Sequence, residues 1–239
     1  MRVVDVPVSA GVSWIREAWQ LFRAQPLAWL SIASAWAMIS ILMMFVPLIG
    51  APAATMAQPG FFAGLVMACR DQADGKPVIL SHLFAGFKMA GRPLIQIGAV
   101  SLLAELLVLM TLSTAGFFDG LAGKKLEDLS PEFIAAAFDG KEVMWITALI
   151  SLIVIKGVLW FSAALIVHQP MPASHAIRWS FFALIGNFLP LIFFGVMMFT
   201  LLSLASLPWL LGLLIFFPIY AITHYTSFKA VFKPDTAAE

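Results

Sequence analysis

Four stretches of this chain, residues 27–69, 94–118, 143–168 and 179–228, are almost wholly apolar, and the only charges inside them are Glu105 and Lys156. A helix facing lipid is apolar all round, whereas a surface helix of a soluble domain carries a polar stripe. About 20 residues at 1.5 Å rise cross a hydrocarbon core roughly 30 Å thick. The run 27–69 therefore reads as two crossings that turn near Pro47-Leu48-Ile49-Gly50. Runs 94–118 and 143–168 are one crossing each, and 179–228 is again two, turning near Ser203–Pro208. The pattern predicts an all-α integral membrane bundle over 27–228. Its six transmembrane helices fall near 27–47, 51–69, 94–118, 143–168, 181–203 and 207–226, as three hairpins. Helices are the default for these crossings because an open sheet edge leaves unsatisfied backbone groups in lipid. Segment 51–69 contains Pro52, Gln58, Pro59 and Gly60. It is expected to be broken at Gln58-Pro59-Gly60, and a re-entrant path there would leave five crossings and termini on opposite sides.

The segments between the spans have patterns of their own. In residues 9–24, Val12, Ile15, Trp19 and Phe22 recur at helical spacing opposite Ser13, Arg16, Glu17, Gln20 and Arg23. Residues 1–26 are thus expected to form a cytoplasmic interfacial amphipathic helix, anchored by Trp14, Arg16, Trp19 and Arg23 and ended by Pro26. Loop 119–142 is external and contains a short helix, with Ser130 as N-cap, Pro131 at the first position and Gly140 as the stop. Phe133, Ile134, Ala137 and Phe138 form its apolar stripe. The loop is net acidic (Asp119, Glu127, Asp128, Glu132, Asp139 and Glu142), with no calcium-loop spacing. A lead-in segment, then Pro-Leu, then a crossing occurs at Pro26-Leu27, Pro93-Leu94 and Pro190-Leu191, which suggests a three-fold repeat of hairpins.

Composition and charge add orientation. Of 239 residues, 62% are hydrophobic and 11% charged, too apolar for a soluble domain of this size. Net charge is +1, so no global field draws in nucleic acid. Placing both termini in the cytoplasm puts ten basic residues inside and only Lys124, Lys125 and Lys141 outside, as the positive-inside rule requires. Residues 229–239 are then a cytoplasmic tail. Trp145 and Trp209 fall near the outer boundary, and Trp14, Trp19, Trp29 and Trp179 near the inner one. Residues 1–26 show no signal-peptide h-region, so the chain is expected to keep its N-terminus. The single Cys69 forms no intrachain disulfide.

Glu105 and Lys156 are the sharpest candidates for a functional or structural intramembrane pair. Their spans are consecutive and run in opposite directions, so the two midpoints share a depth, and sequence neighbours usually pack together. An unpaired charge at a helix centre costs about 2.5–3.5 kcal/mol on insertion scales, a cost that pairing lowers. Gly98 and Ser101 share the Glu105 face and form a small-residue strip that another helix can approach. Trp160, one turn from Lys156, can present its ring face to the ammonium. Further polar candidates are Asn187, Gln58, Thr111 and Thr147. His82, His168, His175 and His224 all map to the cytoplasmic side without zinc spacing. No nucleophile elbow, Walker loop, His-Glu-x-x-His or Cys-x-x-Cys occurs. No catalytic, cofactor-binding or metal-binding residue is therefore assigned, and no cofactor is expected.

Val167-His168, Pro172, Arg178, Ser180-Phe181-Phe182 and Asn187-Phe188 resemble a signature of small bacterial inner-membrane proteins of unknown function. Arg16, Phe22 and Gln25-Pro26-Leu27 resemble their N-terminal segment. The chain departs from that pattern at Pro59-Gly60 and in loop 124–142. The resemblance implies a polytopic inner-membrane protein and supplies no activity. The expected role is a non-enzymatic accessory or organising protein. Its expected partners are the lipid bilayer and a membrane protein or second copy, with no nucleic acid. The alternative is a small solute, ion or lipid transporter using Glu105 and Lys156.

Overall fold

Pro26, Pro93 and Pro190 each follow closely on a residue whose backbone leaves the helix: Gln25 (φ −142°, ψ 61°), Ala90 (φ −149°, ψ 46°) and Asn187 (φ −119°, ψ 34°). Proline disfavours helical geometry in the residue before it, and its ring clashes with the carbonyl four residues back. The chain therefore turns at these three points. The computed structural model describes residues 1–121, 123, 130–207 and 211–233.

Three similar units follow from the three turns. In the first, helix α1 (Ala10–Ala24) leads into α2 (Pro26–Met44), which returns as α3 (Gly50–Ala73). In the second, a 3-10 turn (Leu80–Phe84) and the first residues of α4 (Ala85–Thr114) lead past the Ala90 kink into the long part of α4. That unit passes through the short α5 (Pro131–Phe138) and returns as α6 (Glu142–Leu159) and α7 (Ser162–His168). In the third, α8 (Ala173–Gly186) leads into α9 (Phe188–Ser206), which returns as α10 (Leu213–Val231).

Each lead-in packs on the preceding unit, and the cycle closes. The 3-10 turn rests on α2 and α3, α8 rests on α6 and α7, and α1 rests on α9 and α10. The returning helices α3, α7 and α10 touch one another at the centre. A two-residue ribbon completes the ring: strand β1 (Arg2–Val3) pairs antiparallel with β2 (Phe232–Lys233), Arg2 opposite Lys233. The described ends of the chain thus lie at one end of the bundle.

Position in the ring sorts the helices by composition. Among the described residues, four helical segments are long and apolar enough to cross a membrane: Pro26–Met44, Leu80–Thr114, Glu142–His168 and Phe188–Ser206. Outward side chains such as Ile41, Leu42, Phe199 and Leu204 are exposed on α2 and α9. Central α3 and α10 fall short of that apolarity because they carry small and polar residues. Association within lipid depends on close packing more than on the hydrophobic effect, which favours such residues at helix contacts.

Several expected boundaries move. The fifth predicted span, 181–203, straddles the Asn187 turn; α9 begins at Phe188, and the next helix begins at Leu213 rather than 207. The predicted break at Gln58-Pro59-Gly60 does not occur, because α3 is continuous through all three. A mid-helix proline removes one backbone bond, and neighbouring helices hold the rest in register. The interruption in the crossings comes instead at Trp160–Phe161, between α6 and α7. Helix α1 buries Gly11, Trp14, Ala18 and Phe22, so its apolar stripe is rotated from the one predicted and faces α9 and α10.

Candidate functional site

The polar cluster is built where α3 and α4 come close. A Cβ on Gly60 would meet the Phe87 ring, one on Gly64 the His82 carbonyl, and one on Gly98 the Met56 carbonyl. With hydrogen alone at these positions the two backbones approach closely, and Gln58 on α3 comes beside Ser101 on α4. Helix α6 packs on the same face of α4 and adds Lys156.

The Lys156 ammonium lies 2.6 Å from Glu105 Oε1, 3.1 Å from Ser101 Oγ and 3.4 Å from Gln58 Oε1. Ser101 donates in turn to Glu105 Oε1 at 2.8 Å. An ammonium has three donors, and three protein acceptors surround this one. The side chains of Lys156 and Glu105 keep 44% and 25% of their exposure, so the pair sits at the edge of the bundle.

A cavity of about 60 Å³ adjoins the pair, lined by Gln58, Phe62, Lys156, Trp160, Tyr220 and His224 among others. His224 is 7% exposed. Its ring stacks on Trp160 at 3.7 Å and lies 4.1 Å from Phe62. His224 Nδ1 is 3.2 Å from the carbonyl of Trp160, next to the α6–α7 interruption. Ser180 Oγ holds the backbone at that interruption by accepting from Phe161 N at 3.0 Å, and Ser227 Oγ fixes the Trp160 ring by accepting from Nε1 at 3.0 Å. Trp160 thus turns its ring toward His224 rather than shielding Lys156.

The other predicted residues scatter. Trp14 is 1% exposed and packs edge-on against Phe194, so it faces protein rather than headgroups; Arg16, Trp19 and Arg23 are exposed. Trp29, also 1% exposed, donates to Gln72 Oε1 at 2.9 Å instead of joining an interfacial belt. Thr111 and Thr147 donate to carbonyls of their own helices. Asn187 accepts from Val6 N at 2.9 Å and donates to the Val4 carbonyl, tying the N-terminal strand to the α8–α9 turn. His82 Nε2 lies 3.1 Å from Asp71 Oδ2, and Lys76 donates to Asp71 Oδ1 at 2.8 Å. Among the described residues no group of three or more His, Cys, Asp or Glu could hold a metal. Between α4 and α6, Ser130 caps α5 by accepting from Phe133 N, and Phe138 packs on Phe117 and Trp145. Lys124, Lys125, Glu127, Asp128, Pro208 and Trp209 lie outside the described residues.

Sequence reasoning missed His224 and Tyr220 as partners of the polar cluster, because nothing local links them to residues 58–160. The Gly60-x-x-x-Gly64 spacing was the available sign of a close helix contact.

Four membrane-capable helices, two of them joined by the Lys156–Glu105 pair, define the class, a helical integral membrane protein. In particular, the chain is similar to a Burkholderia thailandensis protein named as a probable inner membrane protein. The two are 34% identical over 91 residues, 38% of this chain and 34% of that protein. The chain thus matches about a third of that relative's length. No family model matches it, and no solved structure matches either.

Proposed function

We infer that this is a six-span protein of the bacterial inner membrane, with both termini cytoplasmic, that supports or organises membrane partners and catalyses no reaction. The observation that carries this reading is the occupancy of Lys156. Its three donors face Glu105, Ser101 and Gln58, so the charge pair clamps α3, α4 and α6 together and offers no spare donor to a passing solute. Pairing of Arg2 with Lys233 supports an even number of crossings. The exposed Arg16 and Arg23 suit a cytoplasmic headgroup layer.

A second reading, handling of a solute or lipid, draws on the cavity beside the clamp. Extraction in native lipid patches followed by mass spectrometry separates the two. A reproducible protein partner at fixed stoichiometry supports the organising role. Its absence, with one solute or lipid enriched instead, overturns that role in favour of handling.

A further inference from the structure

We propose that the cavity between α3, α6 and α10 is a binding site for an uncharged alcohol hydroxyl, an inference that goes beyond the organising role. His224 carries it. The Trp160 carbonyl can only accept, so His224 Nδ1 holds the ring proton and Nε2 is a bare acceptor. Nε2 is buried and has no hydrogen-bond partner among the described residues. The ring cannot swing to find one, because Trp160 and Phe62 hold its two faces. A buried acceptor left unmatched is costly, and a donor placed in the cavity removes that cost.

The surroundings select the donor's chemistry. Lys156 and Glu105 neutralise each other at the cavity's edge, so neither a cation nor an anion finds a free countercharge. Tyr220 lines the same cavity, and a phenol can donate to an oxygen that is itself donating to His224. One hydroxyl group meets both demands. At about 60 Å³ the space takes a few water-sized groups, enough for a hydroxyl and its neighbouring carbons. Such a group comes either from a lipid with a free hydroxyl or from a small soluble alcohol.

The test uses the full chain with 15N-labelled histidine in phosphatidylcholine nanodiscs, alone, with dioleoylglycerol, or with free glycerol. The Nε2 resonance of His224 is assigned by elimination with single histidine substitutions. An upfield move of that resonance on adding dioleoylglycerol, with the lipid retained in native mass spectra, supports the site and a lipid source. The same move with glycerol alone supports the site and a soluble source. Tyr220→Phe is expected to weaken retention of the active probe about tenfold, the effect of one lost hydrogen bond. A resonance that neither probe moves overturns the proposal. If it is already hydrogen-bonded in phosphatidylcholine alone, water fills the cavity; if it stays free throughout, the cavity takes no hydroxyl.

Discussion

Lys156 in the last turn of α6 and Glu105 near the middle of the long part of α4 meet at 2.6 Å, and together they hold two crossings at one register. Removing either partner strands the other charge in an apolar layer. Because both side chains are partly exposed, the penalty falls below that of a fully buried pair. Glu105→Leu and Lys156→Met are each expected to lower stability by about 1–3 kcal/mol. The Glu105→Leu, Lys156→Met double variant is expected to recover most of that loss. Thermal unfolding of all four proteins in one detergent completes the cycle. Additive losses in the double variant would show that the two residues act independently.

Gly98 sets the distance between α3 and α4. Its added methyl would strike the Met56 backbone carbonyl, which cannot rotate away as a side chain can. Gly98→Ala is expected to destabilise by about 1–3 kcal/mol. Gly195→Ala in α9 meets nothing within 4 Å and should be neutral or stabilising by up to about 1 kcal/mol. Equal effects from the two substitutions, measured by denaturant unfolding, would refute the close approach.

Asn187 is fully buried at the α8–α9 turn and holds both Val4 and Val6. Asn187→Ala is expected to cost about 1–3 kcal/mol and to free residues 1–8 from the bundle. Hydrogen exchange of the Val6 amide is the direct readout, and unchanged protection there would contradict the tie.

Asp71 lies beyond the apolar run of α3. Hydrogen bonds from Lys76 and then His82 hold its carboxyl below the ordinary value of 3.8. A group whose folded value is depressed stabilises the fold above its unfolded value and loses that contribution as pH falls through the folded one. Stability should therefore drop with acid below about pH 4, and Asp71→Asn should drop less over that range. Parallel melting curves for the two proteins would test this, and identical acid slopes would rule Asp71 out.

Orientation is testable with the native thiol left in place, because Cys69 is buried and should not label. Gly75→Cys is expected to react from the cytoplasmic side and Asp139→Cys from the outside. Labelling of both from one side would overturn the six-span arrangement.

Much of the architecture was legible in the chain. Uninterrupted apolar runs mark helices for lipid, because a charge at the helix centre is too costly to place there without cause. Pro26, Pro93 and Pro190 marked three turns, since a proline's constraint reaches back only as far as the carbonyl four residues before it and needs no tertiary context. Ser130 and Pro131 opened α5 for the same local reason. Gln58-Pro59-Gly60 misled because a proline and a glycine weaken an isolated helix, yet here Gly60 serves the contact with Phe87 on α4. Trp14 and Trp29 misled because tryptophan suits both a membrane interface and a packed core, and only the neighbours decide between them.

Composition and local pattern by themselves determined the medium of this protein, its helical class, and the two charges at mid-span. They could not determine who surrounds those charges. Gln58 is 98 residues from Lys156, and His224 and Trp160 are 64 apart. Contacts over such separations depend on the order in which whole helices pack, and apolar sequences leave that order almost unmarked. The closing of three units into a ring decided it, bringing an ammonium its third acceptor and leaving a histidine nitrogen without a hydrogen-bond partner among the described residues.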